Sequence, residues 1–555
     1  MDYQPPVTDI RTLLEQVLDA PAQLRELPAY AQVDAELMGQ VIEEAGKFVA
    51  SEIAPLQRTG DETGCHFEDG RVTMPPGFRA AYQAFWQAGW PALASATADG
   101  GQGLPAVLEA VVYEMLTSAN HGWTMAPGLL HGAYECLRHH GSEALKARYL
   151  GKIATGEWLA TMCLTEPQAG SDLGLITTRA VAQADDSYRI SGTKIFISGG
   201  EHDLTDNIVH LVLARLPDAP PGPKGLSLFL APKFLPDGGR NDIHCERIEE
   251  KMGLHGSPTC VLRFEDATGW LVGEPQRGLN AMFVMMNAAR LHVGLQGIGL
   301  LEAAWQKANA YAQERRQMRA PGAVQSSLIQ EHPAIQRILH TQRAWIDGGR
   351  LLAYRTAIEL DLAKHHPDAT RREAALRWCN LVTPVLKAAW TSQGFHGASA
   401  CLQVLGGHGY IREWGIEQIV RDARVTMIYE GTNEIQAIDL LLRKVLSDGG
   451  AALGALFDLL KQEDELPPEV TQRLDQLQEL ARRLARDAMR DVESAYWIAD
   501  DFLQALALAL LGWAGACIEA RLTDWRAPAH ALRTWVPPEF ALRTGIIERQ
   551  LTERP

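Results

Sequence analysis

The chain has 555 residues, of which 46% are hydrophobic, and a formal net charge of −16 at pH 7. A chain of this length can bury a large core over about three or four packed units, and its acidic balance argues against binding nucleic acid through a basic surface. The eight cysteines include no CxxC pair and no Cys/His spacing that suits zinc, so we expect neither a disulfide framework nor a metal site.

Residues 1–157 have mostly helical periodicity and predict an N-terminal helical domain. The first stretch, MDYQPPVTDIRTLLEQ, is polar and acidic and lacks the basic and apolar parts of a secretory signal, so a cytoplasmic location is expected. A near match to GxGxxG occurs at Gly101, Gly103 and Ala106. No apolar strand precedes it and Pro105 interrupts it, which indicates a turn instead of a nucleotide loop.

Residues 158–277 change to short runs rich in β-branched and aliphatic residues, such as YRISGTKIFIS and NIVHLVLARL, separated by turn clusters such as PDAPPGPKG. This pattern predicts a middle β domain with antiparallel strands. Helical periodicity returns over residues 278–445, which predicts a C-terminal helical bundle, and residues 446–555 predict a helical extension. The predicted fold class is therefore α+β.

The extension contains FLQALALALLGWAGACI, residues 502–518, which approaches the length of about 20 residues that spans a bilayer. Asp500, Asp501 and Glu519 bound this run, and no basic cluster flanks it. A helix buried in protein is the expectation, and no transmembrane span is predicted.

Four stretches carry candidate chemistry. CLTEPQAGSD (163–172) joins hydroxyls to a glycine that lets backbone N–H groups approach a ligand, and KIFISGGEHD (194–203) places a serine at the end of an apolar strand. QVLGGHGYIREWG (403–415) has paired glycines that fit a helix end or a phosphate, and MIYEGTNEIQ (427–436) follows apolar residues with Glu430. Taken singly, they also fit a loop, a strand with its turn, a helix cap and a salt-bridged carboxylate.

Together with EKMGLHGSPTC (250–260) and MMNAARLHVGLQG (285–297), these stretches resemble, in order and separation, the flavin-dependent acyl-CoA dehydrogenase family of fatty acid metabolism. The likeness covers roughly residues 30–445. The length and the helical extension are most similar to the larger bacterial members.

The resemblance implies the reaction. The carboxylate at the position of Glu430 removes the α-proton of an acyl-CoA thioester while hydride leaves the β-carbon for flavin N5, which gives a trans-2-enoyl-CoA. Such a base needs a pKa raised by an apolar pocket, to which Tyr429 and Met427 contribute in this interpretation. The backbone N–H of Glu430 and a flavin hydroxyl would stabilise the enolate oxygen, and Gly431 would let the thioester approach. Some relatives carry the base at the position of Ala289, so Glu430 is the single candidate here.

The resemblance also implies the binding residues, with FAD as cofactor, electron-transfer flavoprotein as acceptor, and a homodimer because a neighbouring subunit completes each FAD site. For acyl-CoA the implied residues are Ser171, Asn287, Arg290 and Gly431. For FAD they are Leu164, Thr165, Gly170, Ser171, Phe196, Ser198, Arg315, Gln403, Gly406, Gly407, Thr432 and Glu434. The family's Arg-x-Thr-Phe element appears here as Arg-Arg-Gln-Met at 315–318.

Two alternative functions stay open. Acyl-CoA oxidases share the scaffold and pass electrons to oxygen. A flavin-bearing relative that binds duplex DNA through a C-terminal extension is the other, but residues 451–555 hold 12 Arg and Lys against 17 Asp and Glu. The cluster Arg482, Arg483, Arg486 and Arg490 is the feature in its favour, and a solvated helix face that pairs with Asp487 and Asp491 explains it more simply.

Overall fold

A computed structural model of the chain describes residues 3–463, 465–488 and 492–552. Helices make up most of it, joined by short 3-10 and π-helical turns. In chain order the α-helices are α1 (Val7–Thr12), α2 (Ala20–Arg25), α3 (Ala35–Phe48), α4 (Gln57–Thr63), α5 (Phe78–Gln87), α6 (Ala106–Ala119), α7 (His121–Thr124), α8 (Leu130–His140), α9 (Glu143–Leu145), α10 (Gly151–Ala154), α11 (Gly278–Glu314), α12 (Pro333–His365), α13 (Ala369–Val385), α14 (Thr391–Val404), α15 (Ile416–Arg424), α16 (Asn433–Ile438), α17 (Ala451–Glu463), α18 (Pro468–Ala488), α19 (Glu493–Arg521) and α20 (Arg526–Thr552).

The strands form a short hairpin and one central sheet. They are β1 (His66–Glu68), β2 (Arg71–Thr73), β3 (Leu159–Cys163), β4 (Arg179–Ala182), β5 (Tyr188–Ser198), β6 (Ile208–Arg215), β7 (Leu226–Pro232), β8 (Ile243–Ile248) and β9 (Thr259–Val272).

The central sheet has seven strands in the order β3-β6-β4-β5-β9-β7, with β8 paired to β9. The strands β6 and β7 also pair, so the sheet closes on itself. Almost every residue of these two strands is buried, which explains why they appear in the sequence as unbroken apolar runs and not as alternating ones. Most pairs are antiparallel, as predicted, while β3 runs parallel to β6.

The described residues form two compact units. One holds residues 49–104 and 120–289 and is called here the sheet unit, and the other holds residues 1–48, 105–119 and 290–555 and is called the helical unit. Each unit draws on more than one of the four predicted chain segments. Those segment boundaries therefore stay a prediction about chain order.

The helical unit contains a buried group of charges on α6, α11 and α12. The guanidinium of Arg350 is inaccessible to solvent and contacts Glu114 at 2.7 Å and Glu302 at 3.0 Å. The Tyr354 hydroxyl also donates to Glu114 at 2.6 Å, and Arg343 pairs with Glu302 at 3.1 Å. Buried charges of this kind are tolerated because each one has an opposite charge and hydrogen-bonding partners.

The predicted order of helices, sheet, helices and helical extension is confirmed. The apolar run 502–518 lies in α19. Among the described residues, α19 is the one helix that is long and apolar enough to cross a membrane, and 83% of its most apolar segment is buried within the protein. This burial agrees with the predicted core helix. The hairpin β1–β2 was not expected, because each strand has three residues and no alternating pattern can develop over that length.

Candidate active site

The stretch around Glu430 forms a sharp turn between two helices of the helical unit. α15 ends at Arg424, and α16 begins at Asn433, where the Thr432 side chain caps it by accepting from the Ile435 N–H at 3.4 Å. Between them Glu430 and Gly431 both have left-handed backbones, with φ of 56° and 85°. A glycine adopts this conformation freely, but for a glutamate it costs about 1–2 kcal/mol, and strain of this kind concentrates at functional sites.

Buried side chains hold the two carbonyls of this turn. Gln436 donates from Nε2 to the carbonyl oxygen of Glu430 at 2.9 Å, and Lys387 donates from Nζ to the carbonyl oxygen of Gly431 at 2.7 Å. Lys387 also donates to Oδ1 of Asn433 at 2.9 Å. The surrounding protein therefore fixes the strained conformation.

The carboxyl of Glu430 is half-buried and poorly solvated. Burial raises the pKa of Glu430 to about 7, against the opposing effect of the positive charges on Arg290 and Lys387. A carboxyl that titrates near 7 can accept a proton at neutral pH with a stronger driving force than an ordinary carboxylate.

Tyr429 closes one side of this position. Its hydroxyl donates to Oε1 of Gln296 at 2.5 Å, Gln296 donates from Nε2 to the Tyr113 hydroxyl at 3.0 Å, and the Tyr113 ring stacks on His292 at 4.2 Å. Burial raises the pKa of Tyr429. The hydroxyl of Tyr429 thus bonds to a buried side chain, and both Tyr429 and Met427 are half-buried.

The predicted acyl-CoA residues in α11 have different outcomes. Burial lowers the pKa of Arg290, and the charges of Asp439 and Glu430 act on it in the opposite direction. Its Nε atom is buried with no hydrogen-bond partner among the described residues, which leaves a donor for a ligand. The side chain of Asn287 lies outside the described residues.

In the sheet unit, the loop 163–172 is fastened to the strand β5. The Ile195 N–H donates to the carbonyl oxygen of Thr165 at 2.9 Å. The buried carboxylate of Glu166 accepts from Lys194 at 2.9 Å and from the Thr177 and Thr178 backbones at 2.8 and 3.1 Å. The structure therefore brings two predicted FAD-binding stretches together.

Phe196 and Ser198 lie at the end of β5, beside that loop. Phe196 has a left-handed backbone with φ of 59°, at a bulge in the pairing with β9, and its ring is 60% exposed. The bulge turns an apolar ring outward at a strand end. A Cβ at Gly170 would meet nothing within 4 Å, and Ser171 is exposed, while Leu164 and Thr165 are half-buried. An open aromatic face next to hydroxyls and a glycine fits the flat ring and polar edge of a flavin.

The remaining predicted FAD residues lie in the helical unit. Tyr311 donates to or accepts from Nδ1 of His408 at 3.0 Å, which joins the end of α11 to the glycine segment after α14. Arg315 and Gln403 are exposed, and a Cβ at Gly406 or Gly407 would meet nothing within 4 Å. This open surface can accept a ligand. Near the α16 cap, a backbone hydrogen bond and then Thr432 lower the pKa of Glu434.

Sequence reasoning missed three polar residues that support Glu430, namely Lys387, Gln436 and Gln296. Lys387 carried one available signal, since it is the single charged residue in the apolar run VLKAAW, residues 385–390. Fully buried lysines are rare unless a partner stabilises them. The partners of Gln436 and Gln296 depend on how separate helices meet, and no local pattern shows that.

Helical segments before and after a central sheet, with a carboxyl of raised pKa in a sharp turn, define the class of this protein as an α+β fold with a candidate acid–base site. Comparison with known sequences narrows this class. The family models for the N-terminal, middle and C-terminal domains of acyl-CoA dehydrogenase match residues 38–157, 161–267 and 276–445, respectively. The chain belongs to the acyl-CoA dehydrogenase family, whose members are FAD-dependent enzymes that act on acyl-CoA.

Curated relatives cover most of the chain. The 3-methylmercaptopropionyl-CoA dehydrogenase of Ruegeria pomeroyi is 44% identical over 87% of this chain and 83% of its own length. The broad-specificity linear acyl-CoA dehydrogenase FadE5 of Mycobacterium tuberculosis is 35% identical over 87% of this chain and 85% of its own.

Solved structures agree on the fold. Caenorhabditis elegans ACDH-11 in complex with C11-CoA has a TM-score of 0.78 at 21% identity, over 99% of this chain and 95% of its own. A Bacillus anthracis acyl-CoA dehydrogenase complexed with FAD has a TM-score of 0.76 at 21% identity, over 96% of this chain and 91% of its own. Both likenesses cover nearly the full length of this chain and show the fold of its described residues.

Proposed function

We propose that the protein oxidises an acyl-CoA thioester to a trans-2-enoyl-CoA, with Glu430 as the base that removes the α-proton. The observation that carries the proposal is the Glu430 carboxyl itself, held in a left-handed turn with its pKa raised to about 7. Bound FAD supplies the acceptor for the β-hydrogen as hydride.

Proton abstraction, substrate binding and flavin binding would each depend on different residues of this chain. Glu430 accepts the α-proton, and its pKa near 7 keeps it both ionised and basic in neutral solution. Arg290, whose buried Nε has no protein partner in the described part of the chain, binds the CoA portion. Gly431 leaves room for the thioester because it has no side chain. Leu164, Thr165, Gly170, Ser171, Phe196 and Ser198 would hold the flavin, with Arg315, Gln403, Gly406, Gly407, Thr432 and Glu434 as further FAD-binding positions.

Replacing Glu430 tests the proposal. We expect Glu430→Gln to lower the rate of flavin reduction by acyl-CoA by about 100- to 10,000-fold, because the amide cannot accept the proton. The purified variant should keep its yellow cofactor. The wild-type rate should increase as the pH rises through about 7, since Glu430 must lose its proton before it can act. Glu373→Gln, on the exposed surface of α13, is the matched control. Retained turnover in Glu430→Gln contradicts the assignment.

Electron-transfer flavoprotein is the proposed acceptor of the electrons. The relatives named above as dehydrogenases support it over oxygen. With acyl-CoA in air and no protein acceptor, the enzyme should form little hydrogen peroxide and stay reduced. Rapid peroxide formation would instead identify an oxidase.

The substrate is proposed to be a short acyl-CoA, including chains that carry a thioether. The support is the 44% identity to a relative named for 3-methylmercaptopropionyl-CoA. A panel of acyl-CoA thioesters of graded length, with and without a thioether sulfur, ranks them by kcat/KM. Faster turnover of long linear chains would contradict the proposal.

Assembly and location remain proposals. A homodimer is proposed because the exposed Arg315, Gln403, Gly406 and Gly407 surface suits a cofactor bound by a second copy. Light scattering of the holoenzyme tests it. A cytoplasmic location is proposed from the sequence, and cell fractionation tests that.

A further inference from the structure

Lys387 lies in an unusual position for a lysine. It is fully buried in a π-helical turn, Leu386–Trp390, that begins two residues after Pro384. Proline removes a backbone donor and disturbs the regular helix, and π-helical turns occur frequently at functional sites. The other residues of this turn are also buried and apolar, so Lys387 is its one charged group.

The hydrogen bonds of Lys387 go to neutral oxygens. Its Nζ contacts the carbonyl oxygen of Gly431 and Oδ1 of Asn433, and it forms no ion pair within 4.0 Å in the part of the chain that the structure describes. A buried lysine with a purely structural role is normally paired with a carboxylate. Here the ammonium points instead at the peptide that follows Glu430.

Gln436 completes the arrangement from the other side of the turn. Its Nε2 donates to the carbonyl oxygen of Glu430, while its Oε1 is buried without a partner in the described residues. Two successive carbonyls, those of Glu430 and Gly431, thus each accept from a buried side chain on a different element. These are the same two residues that have positive φ.

We propose that Lys387 and Gln436 are positioning residues for the α-proton abstraction: they lock the Glu430–Gly431 turn, and the Lys387 charge favours the ionised carboxyl. This inference rests on the proposed role of Glu430 as the base. Lys387 touches neither acyl-CoA nor flavin in this account and acts through Glu430.

The charges that face the pair are consistent with this role. Burial lowers the pKa of Lys387 to about 7, and the carboxylates of Glu430 and Glu434 oppose that effect while Arg290 adds to it. For Glu430 the facing cations are Arg290 and Lys387, and the Tyr113 and Tyr429 hydroxyls are its neutral neighbours. Removing the Lys387 charge leaves Arg290, among the described residues, as the cation that favours the Glu430 carboxylate, so a higher pH is needed to ionise it.

Two substitutions separate the charge of Lys387 from its hydrogen bond. Lys387→Met removes both and keeps the apolar stem, whereas Lys387→Gln removes the charge and keeps an N–H donor. Lys461→Met is the control, because Lys461 is a partly buried lysine of the helical extension whose partner is Asp475 of α18. The measurement is the anaerobic rate of flavin reduction by acyl-CoA against pH, together with an infrared titration of the Glu430 carboxyl band, with Glu430→Gln as the blank.

In both Lys387 variants we expect the acidic limb of the rate profile and the carboxyl titration to move up by about half to one pH unit, which is about a three- to tenfold lower rate on that limb. Lys387→Gln should retain more of the rate at high pH than Lys387→Met, since it can still hold the Gly431 carbonyl. Lys461→Met should follow the wild type. If the methionine variant does not fold, the glutamine variant carries the same test.

An acidic limb that stays at the wild-type pH in folded Lys387→Gln overturns the inference, even if the overall rate falls. That result would leave Lys387 as a packing residue. A different result would reject the proposed function: Glu430→Gln would then keep its turnover. If Glu430→Gln is inactive and the acidic limb of the Lys387 variants stays at the wild-type pH, this inference is rejected while the proposed function stands.

Discussion

The proposed chemistry of this protein depends on one residue in an unfavourable backbone conformation. Glu430 has a φ of 56°, which places its carboxyl at the tip of a turn and not on the side of a helix. The same turn packs the carboxyl against protein instead of water, and burial raises its pKa to about 7. The turn between α15 and α16 is thus the origin of the backbone strain, and it holds the carboxyl where other helices bury it.

Replacing Gly431 by alanine tests whether the turn tolerates a side chain at this position. Its φ is 85°, and an added Cβ would lie 2.8 Å from Nε2 of Gln436. We expect Gly431→Ala to lower the free energy of unfolding by about 1–2 kcal/mol because alanine is strained at this φ. Flavin reduction should slow by roughly tenfold or more, since small displacements of a catalytic group are costly.

The control for Gly431→Ala is Gly545→Ala. Gly545 lies within α20, where an added Cβ would meet nothing within 4 Å. That variant should gain about 0.5–1 kcal/mol from the higher helix propensity of alanine and keep full activity. Denaturant unfolding and stopped-flow reduction measure both variants. Equal behaviour of the two would show that the turn is not conformationally restricted.

At the scale of elements, the side chain of Glu166 fixes the position of the loop 163–172. Its buried carboxylate pairs with the buried Lys194 of β5 and accepts from Thr177 and Thr178, so the loop, the strand and the following segment meet at one group. Burial alone would raise the pKa of Glu166, but Lys194 and the threonine hydrogen bonds outweigh it and lower the pKa to about 2. This anchor holds the loop at Thr165 next to the strand that carries the exposed ring of Phe196.

Replacing the anchor should loosen the loop. Glu166→Gln leaves Lys194 buried without its charged partner, and we expect the free energy of unfolding at neutral pH to fall by about 3 kcal/mol or more. FAD should also bind less tightly. Glu143→Gln, which breaks an exposed pair with Lys146, is the control and should change stability by less than about 0.5 kcal/mol.

The pH dependence of this difference has a definite sign. A carboxyl with a lowered pKa stabilises the fold at pH values above its ordinary pKa of 4.5 and loses that contribution as the pH falls towards about 2. The stability difference between the wild type and Glu166→Gln should therefore narrow below pH 4.5. Denaturant titrations at neutral and acidic pH measure it, and a constant difference would exclude the ion pair as its source.

At the scale of the whole molecule, the helical extension is part of the core of the helical unit and not an appendage. α19 packs against α12 and α16. The Trp513 ring of α19 meets Trp378 of α13 at 6.0 Å, and Trp525 donates to Asp347 of α12 at 2.7 Å. The extension therefore supports α16, the helix that follows Glu430.

Two tryptophans of α19, one buried and one exposed, provide a test and its control on the same helix. Trp513 is 2% exposed and Trp497 is 66% exposed. Trp513→Ala should lower the free energy of unfolding by about 3–5 kcal/mol because it leaves a large cavity. Trp497→Ala should change it by less than about 0.5 kcal/mol. Thermal unfolding of the holoenzyme compares them, and similar melting temperatures would contradict a core role for the extension.

The basic cluster of the extension is also paired. Arg486 lies 3.7 Å from Glu479, and Arg483 forms an ion pair with Glu548 of α20. Arg490 and Asp491 lie outside the described residues. The observed partners are Glu479 and Glu548, and the side chain of Asp487 also lies outside the described residues, so the expected pairing with the two aspartates stays a prediction.

Most of the fold and part of the candidate site could be predicted from the sequence. Hydrophobic periodicity located the helices, the sheet and the buried helix α19, because each pattern repeats over many residues. The short glycine-containing motifs indicated Glu430, Gly431, Phe196 and their neighbours. The parallel pairing of β3 with β6 could not be predicted, since strand order depends on long-range contacts that leave no local pattern.

The sequence by itself determined the element types, the acidic balance and the presence of one glutamate before a glycine in an apolar stretch. Only the tertiary structure decided that Lys387 and Gln436 hold the turn, and that Gln296 and Tyr113 support Tyr429. The physical reason is the range of each interaction. Propensity and periodicity act between near neighbours in the chain, whereas the pKa of Glu430 depends on charges and burial supplied by helices far apart in it.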